Sequence, residues 1–320
     1  MKPFPINYLN EVVTKVMSKI VTIDIANGIE KGLDPMIHFV DDCGGGPITT
    51  IAEINENTTR LSNMPLRHVT ISATYAQMLW MLCSIALRNH DSIAIEIELS
   101  GMSKDELDIF YQELQVDSNT TNYLRELLDK KKIFDKSAEM LNYMEALCQR
   151  HLTEEEMDYL YSLDMNSEIG VKINSMYVYS MTFNLLHEFS HHSLNHDFQN
   201  EGCLQEEVEA DSNAFWSIYN DLDGAEKNTA MMGILCSLIS LIFNNRSLSD
   251  DGIHPLPIER IFTYYDLIKE ENPKYAGLLC HLFYAWAVFV HDDDMPKWDG
   301  PYDETLDKIK EYMLAKEHNE

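Results

Sequence analysis

Residues 173–196 read INSMYVYSMTFNLLHEFSHHSLNH, and how this stretch folds decides the reading of everything around it. Met176, Val178, Met181, Phe183, Leu185, Leu186 and Phe189 put apolar groups on every side of a helix, and a helix that is apolar all round is a buried one. Inside it lies His187-Glu188-Phe189-Ser190-His191, an H-E-x-x-H arrangement. Residues four apart stand about 40° apart around a helix axis, so both imidazoles leave by one face and can grip a single ion. Glu188 is one position off that face, within reach of a water on the ion without displacing it. The alternative is a pair of core histidines satisfied by hydrogen bonds. Burying two imidazoles and a carboxylate is costly without compensation, however, and a divalent cation supplies it.

A third ligand is expected from a neighbouring element, and Gln205-Glu206-Glu207-Val208-Glu209-Ala210-Asp211 offers four carboxylates in a short run. At about 100° per residue, Leu204, Glu207, Asp211, Ala214 and Ile218 share one helical stripe, whereas Glu206 and Glu209 point elsewhere. Two carboxylates one turn apart on an apolar face repel unless each has a partner. A metal can hold Glu207, and Asp211 can accept the outer N–H of a ligating histidine and so fix its tautomer. A solvated acidic face is the competing reading. Two His and one Glu leave a fourth position open, as catalytic rather than structural zinc sites do. Cys203 is the nearest residue that could close the site, and a structural role suits it better. His192 and His196, each five residues from a ligand, turn away from the ligand face.

The next candidate for chemistry is Ile253-His254-Pro255-Leu256-Pro257-Ile258-Glu259-Arg260-Ile261. Pro255 and Pro257 hold His254 in extended backbone just before a helix that Pro257 can start. Three roles stay open for His254: a donor to the oxyanion of a tetrahedral intermediate, a temporary fourth ligand, or packing of the loop. Arg260 reads as an ion-pair anchor.

Outward from this centre, helices are expected around residues 204–220, 225–244 and 257–271, with proline starts at Pro273 and Pro301 for two more. Short segments rich in Ile, Val and Thr at 36–41, 48–55 and 67–72, separated by turn residues, predict a small antiparallel sheet near the start. Ile93, Ile95, Ile97 and Leu99 alternate as in a strand, although their flanks tolerate a helix. Residues 118–164 read as short amphipathic helices without recognisable chemistry. The fold class expected is therefore α+β and mainly α-helical. Its parts would be a sheet-containing lobe at 1–100, a helical connection at 101–165 and a helical metal-binding lobe at 166–320.

Composition excludes several function classes. The 320 residues carry 24 Lys plus Arg against 53 Asp plus Glu, a formal charge of −29, which disfavours nucleic acid and anionic membrane surfaces as partners. The apolar stretches fall short of the roughly 20 residues of a membrane helix. The first residues lack the apolar run of a secretory signal, which points to the cytoplasm. The six cysteines are far apart and read as reduced, structural residues. Asp292, Asp293 and Asp294 read as an exposed loop. There is no Gly-rich phosphate loop and no G-x-S-x-G nucleophile elbow.

Taken together, Leu185-Leu186-His187-Glu188-Phe189-Ser190-His191, then Gln205-Glu206-Glu207 and Glu209-Ala210-Asp211-Ser212, then His254-Pro255 and Glu259-Arg260-Ile261, resemble the phage-exclusion peptidases of the Lit type. The likeness is closest over 183–216 and 254–264, looser at the N-terminal strands and the apolar helix after them, and residues 90–165 do not align. The order H-E-x-x-H, E-x-x-A-D, H-P is shared with zinc peptidases of the gluzincin type. The resemblance implies a zincin-like fold and one Zn2+ ion held by His187, His191 and Glu207. It implies Glu188 as base and Asp211 behind a ligand, while His254 matches only as part of the shared motif. It further implies a cytoplasmic endopeptidase, quiet until a phage-derived peptide activates it, that cuts a host protein such as elongation factor Tu. Two other readings remain: a housekeeping or regulatory metallopeptidase with another protein target, and a metal-stabilised binding module without catalysis.

Overall fold

Ser72 is both the end of a strand and the start of a helix. Its side-chain oxygen accepts the backbone N–H of Tyr75 at 3.0 Å, satisfying one of the donors that every helix start leaves unpaired. The computed structural model describes residues 37–40, 52–61, 64–116, 118–162, 168–194, 204–245 and 255–317. Three strands, β1 (Ile37–Val40), β2 (Ala52–Leu61) and β3 (Met64–Ser72), precede the helices. These are α1 (Ala73–Ser100), α2 (Lys104–Glu113), α3 (Asn119–Leu128), α4 (Lys130–Leu147), α5 (Glu154–Ser162), α6 (Glu168–Ser193), α7 (Leu204–Tyr219), α8 (Gly224–Asn245), α9 (Pro257–Ile268), α10 (Lys274–Val290) and α11 (Tyr302–Glu317). The chain is mainly helical among the described residues.

The strands pair in the order β1-β3-β2. β2 and β3 form an antiparallel hairpin with a register shift between Asn57 and Arg60, but β1 runs parallel to β3, with Ile37 opposite Val69. The sheet is thus mixed, not antiparallel as expected, because the pattern within a strand says which face is apolar and nothing about the direction of its neighbour. β2 also runs on past residue 55, where the sequence reading ended its segment, to Leu61. Both β2 and β3 lie beside α6.

The alternating run from Ile93 to Leu99 is the last part of α1, not a strand. Helix α1 packs there against different neighbours. Ile93 is buried toward Gly277 of α10, Ile95 joins Leu127 and Ile133 in a small separate cluster, and Ile97 is exposed. Local caps set the short helices between. Ser103 and Glu106 form a reciprocal capping box for α2, Ser118 and Thr121 one for α3, and Asp129 accepts the Lys132 N–H at the start of α4.

One large apolar cluster takes side chains from α1, α4, α5 and every helix from α6 to α11. α6 lies within it, with Tyr177, Val178, Met181, Phe183 and Leu185 all buried. α8 is longer than the apolar run within it. It is the only described helix long and apolar enough to cross a bilayer, and most of it is buried in the protein. A buried polar chain ties the three central helices together. Asn184 of α6 donates to the Tyr75 hydroxyl of α1 at 2.8 Å and accepts from Ser237 of α8 at 2.5 Å, and Tyr75 meets Ser240 at 2.9 Å. Burial, against the opposing hydrogen bonds of Ser240 and Asn184, pushes the Tyr75 phenol up to about 12, so it stays a neutral donor.

Cys83, Cys148, Cys236 and Cys280 are free thiols; Cys43 and Cys203 lie outside the described residues. Asp292 departs from the exposed loop expected of it. Its carboxylate accepts the Tyr312 hydroxyl at 2.8 Å and the Lys316 ammonium at 2.6 Å, pinning α11 to the end of α10.

α6 and α8 lie close together at Gly233. A methyl group there would stand 2.7 Å from the Met176 carbonyl oxygen and 3.1 Å from the Ser180 nitrogen, and the Ser180 hydroxyl already donates to the Gly233 carbonyl at 2.6 Å. Backbone cannot yield as a flexible side-chain tip can. Gly233→Ala is expected to force the two helices apart and lower stability by about 1–3 kcal/mol. A denaturant midpoint equal to that of the parent chain would refute the close approach.

Candidate metal centre

Three helices bring the site together. α6 is long and largely buried, so the segment His187 to His191 is carried into the interior with it. There the His187 and His191 rings stand 4.8 Å apart at 80°, with their Nε2 atoms 3.2 Å from each other. α7 packs against α6 and buries Glu207, Ala210, Asp211, Ala214, Phe215 and Ile218. Leu204, which the stripe reading placed on the same face, is 53% exposed, because the first residue of the helix projects beyond its neighbour. The Glu207 carboxylate faces both rings, with Oε2 3.3 Å from His187 Nε2 and Oε1 3.3 Å from His191 Nε2. These three groups offer ligand atoms all within 4.8 Å of one another, and all three are buried.

Asp211 stands one helical turn beyond Glu207 and behind the first ring. Its Oδ1 accepts from His187 Nδ1 at 2.8 Å. Arg260, on α9, closes the other side with a bidentate grip, Nη2 to Oδ1 and Nε to Oδ2, both at 2.7 Å. α9 starts with Pro257 in its first turn and is held in place by Tyr264, whose ring packs on Phe183 of α6 and Phe215 of α7. Asn213 adds a further tie between α7 and α6 by donating to the Ser190 hydroxyl at 2.8 Å, while Ser190 donates to the Leu186 carbonyl at 2.6 Å.

The electrostatics of this cluster favour a positive charge between the rings. Burial alone would raise the Asp211 pKa, but the Arg260 guanidinium and the His187 hydrogen bond hold it well below the usual carboxylate range, so it is an anion. Burial alone would likewise lower that of His187. The hydrogen bonds to Asp211 and Glu207, and the charges of Asp211 and Glu188, overcome that and lift it to about 10. The metal-free site therefore holds a proton where a cation can sit. With its Nδ1–H directed at an ionised Asp211, a deprotonated His187 has the tautomer that leaves the Nε2 lone pair free to ligate. Two nitrogens and a carboxylate suit a divalent transition metal, and three protein ligands leave a coordination position open.

Glu188 is half-buried on the same turn as the ligands. Its charge acts on His187. His254 and His196 lie outside the described residues, as does Cys203, and the His192 side chain is not described either. The sequence reading made Arg260 an ion-pair anchor, which it is, but named neither its partner Asp211 nor the tie made by Asn213. A buried arginine on the apolar face of α9, between Ile258 and Ile261, was the available signal for the first, since such a group demands an anion. Nothing local marks Asn213.

A family model described as Peptidase U49 matches residues 69–280, more than half of the chain. That span includes His187, Glu188, His191, Glu207, Asp211 and Arg260. No curated protein and no solved structure gave a match.

Two outcomes are expected from this geometry. Arg260→Met strands the buried Asp211 carboxylate, which should cost about 3–5 kcal/mol of stability and weaken metal binding about 10–100-fold; urea unfolding and a chelator-competition titration read the two. The raised His187 pKa contributes stability to the metal-free chain that is fully present below about pH 6.5, where both folded and unfolded states are protonated. The chain should lose that contribution as pH rises toward 10, where the folded state too must release its proton. Urea midpoints of chelator-treated protein should fall across that window. Metal-loaded protein, already deprotonated there, should not follow.

Proposed function

The chain belongs to the peptidase U49 family, and from that premise we propose that it is a zinc-dependent endopeptidase with a zincin-like catalytic region. The observation that carries this reading is the buried meeting of His187, His191 and Glu207, with a second carboxylate on the outer nitrogen of His187. A site that only stabilises the fold has no need of Glu188 beside such a cluster.

Zinc held by His187, His191 and Glu207 would act as a Lewis acid, polarising the scissile carbonyl and acidifying a water molecule. The chain's own groups do the rest. Glu188 takes the proton of the attacking water and delivers it to the leaving amine, so that a poor leaving group departs neutral. Asp211, kept ionised by Arg260, holds His187 in the tautomer and orientation that ligation needs. Among the described residues β2 is an edge strand, and it lies beside α6. This supports a substrate held in extended form by main-chain hydrogen bonds, as an added strand.

The finer reading follows the resemblance to phage-exclusion peptidases of the Lit type. In it the enzyme works in the cytoplasm, waits for a phage-derived peptide, and cleaves a host translation factor, with elongation factor Tu as the first substrate to try. The residues that carry the resemblance, 183–216 and 254–264, fall inside the span matched by the family model, which supports a peptidase; the phage-exclusion role rests on the resemblance alone.

Glu188→Gln is the deciding variant. It should keep the fold and one equivalent of zinc by elemental analysis while losing cleavage by about 10²–10⁴-fold. Intact-mass comparison of cell proteomes with parent or variant induced, alongside purified elongation factor Tu, reads the loss and identifies the cut protein. Cleavage undiminished in the variant would refute Glu188 as base. Stoichiometric zinc with no cleavage by either form would favour the binding module.

A further inference from the structure

Away from the histidines, α1, α4 and α10 enclose a second hollow with the chain between Trp298 and Tyr302. Its volume is about 260 Å3, and Ile85, Ile93, Ile133, Leu141 and Ala285 give it an apolar wall. Gly277 lets that wall close: a methyl group there would come within 3.2 Å of Ile93 and 3.3 Å of the Tyr302 ring.

Two polar groups line the hollow without a task in the fold. The His281 ring meets Trp298 edge-on, 5.6 Å between centroids, and lies 6.1 Å from Tyr302. None of the hydrogen bonds among the described residues uses its nitrogens. Burial, opposed by the Glu96 charge and assisted by that of Lys130, lowers its pKa to about 4. At neutral pH it is an uncharged imidazole with one donor and one acceptor. The Ser137 hydroxyl oxygen is buried with no hydrogen-bond partner among the described residues. Leaving such a group unsatisfied is costly.

The mouth is unusual as well. Phe134 is 67% exposed, Val288 54% and Trp298 47%, a concentration of large apolar groups that marks a binding surface. Lys130 and Glu96, also at the hollow, neutralise each other at 2.9 Å. The pair leaves the rim without net charge, and the apolar wall adds none.

Size and chemistry then define the occupant. An apolar cavity of about 150 Å3 admits benzene, so this larger one admits about two fused rings. The Trp298, Tyr302 and Tyr284 rings favour offset or edge-on stacking with an aromatic guest. Buried groups that can both donate and accept call for a hydroxyl or N–H on it. We propose that this hollow is a binding site for a neutral, fused-ring aromatic small molecule bearing one hydrogen-bonding group, stacked against Trp298 and Tyr302 and hydrogen-bonded to His281 and Ser137. The site shares no residue with the metal centre, and the proposal does not depend on the peptidase reading.

Calorimetric titration of the full chain with 2-naphthol tests it. The expected result is saturable binding of one molecule per chain, unchanged in Glu188→Gln and about tenfold weaker in His281→Leu, which keeps the apolar bulk and removes the polar pair. Ala138→Phe, from α4, and Ala285→Phe, from α10, each fill the hollow and should abolish binding. Having filling variants on two helices keeps the test decisive if one fails to fold, which circular dichroism reports. No saturable binding by the parent chain up to the solubility of the probe, or binding undiminished in a folded filling variant, would overturn the proposal.

Discussion

The carboxylate of Asp211 is where three helices meet. It comes from α7, accepts a hydrogen bond from the Nδ1–H of His187 on α6, and is clasped through both oxygens by Arg260 of α9. A buried ion pair is not in itself a large source of stability, since desolvating two charges offsets most of their attraction. Its effect here is on direction. A guanidinium fork has one plane and a carboxylate one set of lone pairs, so the pair fixes how α9 lies on α7. The hydrogen bond to His187 then fixes the rotation of that ring and aims its other nitrogen at Glu207 and His191. Without Arg260, Asp211 would be an anion in an apolar wall. Without Asp211, His187 would have no set tautomer.

Charge within the cluster follows the same logic. Glu207, Asp211 and Glu188 bring three carboxylates near two imidazoles, with one guanidinium in direct contact among the described residues. The deficit of positive charge lies between the rings, and the lifted pKa of His187 expresses it: without a metal, a proton fills that place. The overall charge of −29 acts in the same direction, raising the concentration of cations around the chain. A peptidase family match covering this part of the molecule gives such an arrangement an evident use.

Much of this was legible because it depends on helical periodicity. His187 and His191 at one spacing, Glu207 and Asp211 at the same spacing, and an apolar run on every side of 173–189 define faces before any contact is known, and those faces meet in the folded chain. What escaped depends on contacts remote in sequence. Arg260 lies 49 positions from Asp211, and no pattern within α9 names its partner. Whether β1 runs with or against β3 is decided by chain crossing, not by residues inside either strand. The alternation from Ile93 to Leu99 misled because it is a pattern of residue types and not of burial: Ile93 and Ile95 are buried against different neighbours of α1, while Ile97 is exposed. Asp292 looked like solvent-exposed loop because Tyr312 and Lys316, which hold it, belong to the next helix.

One consequence follows from the continuity of β3 with α1. Strand passes into helix at Ser72 with no loop between them, and the 28 residues of α1 extend as a rod about 42 Å long at 1.5 Å per residue. Its near end is fastened to a sheet that abuts the histidine-bearing helix; its far portion walls the aromatic hollow. One continuous element thus sets the positions of two places that share no side chain.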